Sequence, residues 1–191
     1  MARGTDQEGR DARQASRQLA QTIGKFIALA LVVILVMLIE RYCTTELPPF
    51  GPGAKIVSID GDTIRASNGV EYRLFGIDAP ELHQSCNEAD GKSWLCGRAA
   101  KAKLTTLINR GNVDCVSRAK DRFGRVVAVC SAEGIPDLGE QMVRDGYAID
   151  LGGPAGHPYR EAEAEAEAAK RGIWRGTFQR PSDWRQANPR D

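Results

Sequence analysis

The chain has 191 residues, 42% apolar side chains and a formal net charge of +1 at neutral pH. This length and apolar content suit one ordinary domain with a sizeable core and appended segments. The part from Tyr42 onward is close to neutral, which argues against a protein that holds nucleic acid through bulk positive charge. A near-neutral domain would therefore bind a polyanion through a locally basic site.

The N-terminal part of the chain predicts a membrane anchor. Residues 1–22 are rich in arginine, lack apolar periodicity and are expected to form a disordered basic arm. Residues 26–39 are an uninterrupted apolar run, and a helix that includes the flanking residues, 23–43, reaches the roughly 30 Å of a bilayer core. A cleaved signal peptide is the alternative, although no small-residue cleavage site follows Ile39.

The same segment predicts the topology. The excess of cations before the apolar run places the N-terminus in the cytoplasm and the following domain outside, periplasmic or extracellular; secretion after cleavage is the alternative. Residues 44–54 contain three prolines and two glycines and are expected to be a linker. No special role is assigned to Cys43.

The next stretch, residues 55–81, predicts a three-stranded meander. Gly61 separates the first two β-rich runs, and Asn68-Gly69 is a two-residue sequence typical of tight hairpin turns. The predicted strands are residues 55–60, 63–67 and 70–78.

Four acidic residues lie at the strand ends of this meander, namely Asp60, Asp62, Asp78 and Glu81. Crowded carboxylates repel one another unless a cation or a guanidinium lies among them, and oxygen-only ligands favour a hard ion such as calcium or magnesium. Arg73 is in the third strand and could supply the guanidinium. Taken singly, a polar turn and a surface arginine explain these residues better than a functional site does.

Three helices follow from the apolar pattern and the capping residues, at residues 97–110, 137–145 and 159–171. Asp137 is the expected N-cap of the second helix. The folded domain is expected to extend over residues 55–176. Residues 177–191 are predicted to be a loosely attached tail.

Four cysteines in this domain predict two disulfides. Cys115 and Cys130 are equidistant from the centre of the turn at Arg122 and Phe123, so they face each other if the flanking runs pair as a hairpin. Cys86 and Cys96 bracket a short loop. Disulfides indicate an oxidising compartment. A zinc site that uses His83 with Cys86 and Cys96 is the alternative.

Three ordered motifs together resemble the staphylococcal nuclease (thermonuclease) family. They are Asp-Gly-Asp-Thr at 60–63 with Arg73 and Asp-Ala-Pro-Glu at 78–81, then Lys-Asp-Arg-Phe-Gly-Arg at 120–125, then Gly-Tyr-Ala at 146–148. The resemblance covers roughly residues 55–175. It implies a mainly β, α+β domain: a five-stranded OB-fold barrel with three helices, here preceded by the single predicted transmembrane helix.

The resemblance also implies roles for the acidic cluster. Asp62, Asp78 and the backbone carbonyl of Ala79 would bind Ca²⁺, and Asp60 would orient waters on the ion. Glu81 corresponds to the family's proposed general base.

The basic residues correspond to the family's phosphate-binding groups. Arg73 and Arg125 would hold the scissile phosphate, because a planar guanidinium suits its oxygens. Arg118, Lys120 and Arg122 could bind the strand's backbone, with a solvated hairpin turn as the alternative. Two departures affect substrate binding: Phe123 replaces an aromatic hydroxyl, and residues 150–153 lack the family's nucleotide-contacting tyrosines.

The sequence therefore predicts a membrane-anchored, calcium-dependent nuclease that cleaves DNA or RNA with little sequence preference. Two alternatives remain open. One is a non-catalytic OB-fold module that binds oligonucleotides or a protein. The other is a structural envelope protein that uses the barrel as a spacer and has no nucleic-acid affinity.

Overall fold

The structure is a computed structural model, and it describes residues 23–37, 55–152 and 156–189. The chain divides into two compact units, Met1–Glu46 and Leu47–Asp191. The first unit contains helix α1, residues 23–37, whose large apolar side chains are exposed. Within the three described ranges, no helix is both long enough and apolar enough to cross a membrane. The predicted anchor at 23–43 extends beyond α1 into residues outside the described ranges and stays a prediction, as do the arm at 1–22, the linker at 44–54 and the state of Cys43.

The second unit is built on a five-stranded sheet with the order β1-β2-β3-β8-β7. The predicted meander is confirmed as its first three strands, which pair antiparallel. The β2–β3 turn has three residues, Ser67-Asn68-Gly69, and not the expected two, and of these three only Gly69 has a positive φ (85°). The predicted third strand ends earlier than expected and resumes as β4 after a turn at Phe75-Gly76. The strands are β1 (Ile56–Ser58), β2 (Thr63–Ala66), β3 (Glu71–Leu74), β4 (Ile77–Asp78), β7 (Asp114–Lys120) and β8 (Val126–Ser131).

Helix α2 (Cys96–Ile108) belongs to the connection that lets β8 run parallel to β3. It buries the predicted stripe of apolar residues against the sheet: Ala100, Leu104, Leu107 and Ile108. Each fully buried leucine or isoleucine stabilises the fold by about 1.5–3 kcal/mol. The site described below lies beside the first turn of α2.

The β7–β8 hairpin has the predicted register from Asp114 to Ser117 and is shifted by one residue from Ala119 to the turn. Cys115 pairs with Cys130, and the two form a disulfide. A bulge between Ser117 and Ala119 leaves Arg118 as the extra residue on β7. The Cys86–Cys96 disulfide is also present, so the zinc alternative is wrong, because neither sulfur is a free thiolate.

The predicted helices 137–145 and 159–171 are present as α3 (Leu138–Arg144) and α4 (Arg160–Ala168). The side chain of Asp137 accepts hydrogen bonds from the backbone amides of Gly139 and Glu140, so the predicted N-cap is confirmed. The last part of the chain is more structured than expected. It forms a 3₁₀-helix (Gly172–Arg175) and a fifth α-helix, α5 (Pro181–Ala187).

Two small sheets were not predicted. β5 (Cys86–Glu88) pairs with β6 (Ser93–Trp94) and with β10 (Gly176–Thr177), and β4 pairs with β9 (Ile149–Asp150). The predicted mixture of strands and helices is thus confirmed. Within residues 55–152 the outer strands β1 and β7 do not pair with each other, so the sheet is open and the closed barrel stays a prediction.

Candidate active site

Two strand ends bring buried carboxylates together. Asp62 directly precedes β2 and follows the Asp60-Gly61 turn, in which Asp60 Oδ1 accepts a hydrogen bond from the Asp62 amide (3.0 Å). Asp78 ends β4 and is 0% exposed. Gly61 is required at this turn, because a Cβ there would lie 2.7 Å from the Cβ atoms of both Ala79 and Ala100. The turn can therefore close against the segment that carries Asp78.

Arg73 links the two carboxylates. It projects from β3 and donates to Asp62 Oδ1 (2.7 Å) and to Asp78 Oδ1 (3.1 Å), with 18% of its side chain exposed. Burial alone would lower the pKa of this arginine, but the charges of Asp62 and Asp78 outweigh burial and raise it. Arg73 is consequently a permanent, oriented cation between two carboxylates.

Asp62 has an unusually high affinity for a proton. Burial raises its pKa from 3.8 to about 7, against the opposing charge of Arg73, and the neighbouring charges of Asp60 and Asp78 raise it further. Thr63 Oγ1 and the Ala79 amide also donate to the Asp62 carboxyl group, at 3.0 and 3.2 Å. The cluster holds more negative charge than Arg73 alone neutralises.

Glu81 lies on the turn after β4, and this turn is fixed by Gln84 and α2. The side chain of Gln84, completely buried, accepts from the Glu81 amide (3.1 Å) and donates to the Gln179 carbonyl (2.7 Å). Gly97 packs so closely that a Cβ there would lie 1.7 Å from the Glu81 carbonyl oxygen. The Cys86–Cys96 disulfide ties the same turn to the start of α2. Sequence reasoning missed the role of Gln84, since a lone glutamine in a loop gives no signal.

A second arginine in the cluster was also missed. Arg185 on α5 donates from Nη1 to Asp78 Oδ1 (2.9 Å) and to Glu81 Oε1 (3.1 Å), and from Nη2 to Asp78 Oδ2 (3.0 Å). Its hydrogen bond to Asp78 raises its pKa. The expectation of a loosely attached C-terminal tail is therefore wrong for α5, because this helix is anchored on buried carboxylates.

Arg125 does not enter the carboxylate cluster. Its Nε donates to Asp121 Oδ2 (2.7 Å) on its own hairpin, and among the described residues it forms no ion pair with Asp62 or Asp78. Arg125 directly precedes β8, in which Val127 pairs with Arg73. Extending the strand by one residue would put Arg125 on the same face of the sheet as Arg73. Strand spacing places their Cα atoms about 8 Å apart.

The other predicted nucleic-acid-binding residues line the hairpin next to Arg125. A shallow cavity of about 340 Å³ is lined by residues of the β2–β3 and β7–β8 turns, including Glu71, Lys120, Phe123 and Arg125. Phe123 is 70% exposed, and the guanidinium of Arg122 lies 4.8 Å from its ring centroid. Arg118, at the bulge, is exposed. These residues form a basic surface with one exposed aromatic ring.

The donor set fits a hard divalent ion in its chemistry. In the part of the chain that the structure describes, no group of three or more His, Cys, Asp and Glu side chains is arranged to hold a metal ion. Two buried carboxylates, Asp62 and Asp78, are nevertheless oxygen donors of the kind that Ca²⁺ and Mg²⁺ prefer. Four carboxylates face two guanidinium groups here, which leaves two formal negative charges. One divalent cation would neutralise them.

The chain is similar to known proteins of the staphylococcal nuclease type. A family model described as "Staphylococcal nuclease homologue" matches residues 71–176, more than half of the chain. The probable staphylococcal-like nuclease CAN3 of Oryza sativa is 32% identical over 136 residues, which is 70% of this chain and 33% of that protein. The endonuclease YhcR of Bacillus subtilis is 32% identical over 134 residues, 61% of this chain and 11% of that protein.

A further relative is the succinoglycan biosynthesis protein ExoI of Rhizobium meliloti, which is 30% identical over 118 residues, 61% of each chain. The chain thus spans less than two thirds of the length of each of these relatives.

Proposed function

The chain belongs to the family of staphylococcal nuclease homologues, and from that premise we propose that it hydrolyses phosphodiester bonds in nucleic acid. The observation that carries the proposal is the cluster in which Arg73 joins Asp62 and Asp78 beside Glu81. Hydrolysis of a phosphodiester needs a group that positions water and fixed positive charge for the phosphorus centre as negative charge develops there.

Glu81 is the residue proposed to act on the attacking water. Its carboxylate is mostly buried and is held on a turn with a fixed backbone, so it can orient a water or take its proton as attack begins. Gln84 and Gly97 keep this turn in place. The function of these two residues in the proposal is positional.

Asp62 and Asp78, with Asp60 and the carbonyl of Ala79 beside them, would hold Ca²⁺. When bound, such an ion acts as a Lewis acid that polarises a phosphoryl oxygen. The residues of this chain support that proposal through their oxygen donors and their excess negative charge. Asp62 must lose its proton to bind the ion, and a bound dication would favour that loss.

Arg73 and Arg125 would hold the phosphate from two neighbouring strands. Their Cα atoms are about 8 Å apart on one face of the sheet, a separation that two extended guanidinium side chains can span around one phosphate group. Arg125 would then exchange its ion pair with Asp121 for the substrate. Lys120, Arg122 and Arg118 would attract the flanking backbone.

Phe123 is proposed to stack on a base. A base–aromatic stack is tolerant of sequence, which agrees with cleavage of little sequence preference, and it contributes about 1–3 kcal/mol per base. The exposed ring beside Lys120 and Arg125 supports this assignment. It would partly compensate for the tyrosines that are missing at residues 150–153.

We place the domain in an oxidising compartment, outside the cytoplasm. The two disulfides, Cys86–Cys96 and Cys115–Cys130, support this placement, because reduced thiols prevail in the cytosol. A membrane anchor at residues 23–43 is the proposed means of retention, supported by the apolar run alone.

The test is a cleavage assay on the full chain with single-stranded and double-stranded DNA and with RNA. Cleavage is expected with Ca²⁺ and is expected to stop in the presence of a chelator. Asp78→Asn should lower the Ca²⁺-dependent rate by more than about tenfold. Asp90→Asn, in an exposed turn, is the matched control and should leave the rate unchanged. Binding of the strand without turnover would instead favour the non-catalytic binding module.

A further inference from the structure

Helix α5 inserts a cation into the acidic cluster from the C-terminal end of the chain. The guanidinium of Arg185 meets the carboxylate of Asp78 with two parallel hydrogen bonds, one from each terminal nitrogen (2.9 and 3.0 Å). The same Nη1 also reaches Glu81 Oε1 (3.1 Å). Two-point contact of this kind is the strongest geometry available between an arginine and a carboxylate.

These contacts use the oxygens that a divalent ion and a water would need. Asp78 Oδ1 accepts from both Arg73 and Arg185, and Asp78 Oδ2 accepts from Arg185. A carboxylate has about four acceptor positions, so only about one remains on Asp78. An ion within bonding distance of Asp78 would also lie next to the positive charge of Arg185. The divalent ion and Arg185 therefore cannot both contact Asp78 in this arrangement.

Arg185 is the cation that can leave. Arg73 lies on a central strand of the sheet and is 18% exposed, whereas Arg185 is 38% exposed and lies on a seven-residue helix. The hydrogen bond from Gln84 to the Gln179 carbonyl holds the segment before α5, and Pro181 is the buried residue of α5 itself. Short, partly exposed elements of this kind open at a lower free energy than a core strand does.

We propose that residues 179–187 are a C-terminal latch, in which Arg185 occupies the acidic cluster as an internal counter-cation and is displaced when a divalent cation binds. In the latched state Arg185 covers Asp78 and Glu81; in the released state both carboxylates face the substrate. The proposal rests on the proposed function for its divalent cation. It concerns binding of that ion, and it can be tested without cleavage.

The first test is a calorimetric titration of Ca²⁺ into the full chain and into Arg185→Gln. The substitution removes the competing charge, so the dissociation constant for Ca²⁺ should fall by about 5- to 150-fold, the usual range for coupled sites. Arg160→Gln is the matched control. It removes the same charge from an exposed position at the start of α4 and should leave the dissociation constant unchanged.

The second test uses the unmodified chain and does not depend on any variant folding. Coupling is reciprocal, so Ca²⁺ must weaken the attachment of the latch by the same factor. Hydrogen–deuterium exchange of residues 179–187 should speed up by about 5- to 150-fold at saturating Ca²⁺, while exchange in β3 should not.

The outcomes separate the latch from the nuclease. Equal dissociation constants for all three proteins, or unchanged exchange at 179–187, would overturn the latch whatever the cleavage activity. Weaker Ca²⁺ binding in Arg185→Gln would also overturn it, and would make Arg185 a supporting residue of the ion site. A lower dissociation constant for Ca²⁺ in Arg185→Gln, together with faster exchange at residues 179–187, supports the latch even if no nucleic acid is cleaved. In that case only the proposed nuclease function fails.

Discussion

Replacing Arg73 by methionine should destabilise the domain in a pH-dependent way. The substitution leaves Asp78 with its two hydrogen bonds from Arg185, so only Asp62 loses its ionic partner. Removing one partner of a buried pair costs about 3–5 kcal/mol, and we expect the lower end, about 3 kcal/mol at about pH 8, because Thr63 and the Ala79 amide still donate to Asp62. At about pH 5, where Asp62 is protonated, the substitution removes one hydrogen bond to Asp62 and one to Asp78, which keeps its bonds from Arg185, and the cost should be about 1–2 kcal/mol.

Urea unfolding of the full chain at the two pH values measures this difference. A loss of about 3 kcal/mol corresponds to a midpoint lower by roughly 1–3 M. Arg65→Met is the control, because Arg65 on the adjacent strand forms an exposed ion pair with Glu71, and such pairs contribute about 1 kcal/mol or less. If Arg73→Met and Arg65→Met lower the midpoint equally at both pH values, Arg73 is a surface arginine and the reasoning fails.

Three further predictions concern the surroundings of this cluster. The raised pKa of Asp62 contributes stability that is fully present below about pH 3.8 and is lost as pH rises through about 7. The unfolding free energy relative to Asp62→Asn should therefore fall over that window, by at most about 1.4 kcal/mol per pH unit. A difference between the two proteins that does not change with pH would contradict the raised pKa. The double variant Cys115→Ala/Cys130→Ala opens a loop with a sequence separation of 15 and should lose about 3 kcal/mol in urea unfolding under non-reducing conditions; an unchanged midpoint would show that the hairpin is equally constrained without the bond. Gly97→Ala places a Cβ against the backbone of Glu81 and should cost about 1–3 kcal/mol and slow cleavage as well, whereas wild-type cleavage in this variant would show that the position of the turn is unimportant.

The hairpins could be predicted from the sequence because their signals are local. Asn68-Gly69 indicates the turn between β2 and β3, although the loop has three residues and not two. The symmetric placement of Cys115 and Cys130 about the β7–β8 turn predicts a pairing that the disulfide confirms. The acidic residues of the meander could be grouped for the same reason, since two strand ends of one meander meet at one edge.

Contacts between distant parts of the chain could not be predicted in this way. Arg185 lies 107 positions from Asp78, on a helix of seven residues that is too short for apolar periodicity to reveal. Gln84 is similar, because its carbonyl partner is at Gln179. The ion pair of Arg125 with Asp121 is local, but motif resemblance assigns a residue's role with substrate bound and does not give its partner in the free chain.

The cleavage rate of Glu81→Gln tests the central claim most directly, because Glu81 is the residue assigned to the attacking water. Single-turnover cleavage of single-stranded DNA with saturating Ca²⁺ should be slower than in the unmodified chain by at least about a hundredfold, the usual contribution of a general base. Glu88→Gln, on β5 and far less buried, should cleave at the unmodified rate. A rate for Glu81→Gln within about twofold of that control would contradict the account, since general-base catalysis contributes at least about a hundredfold.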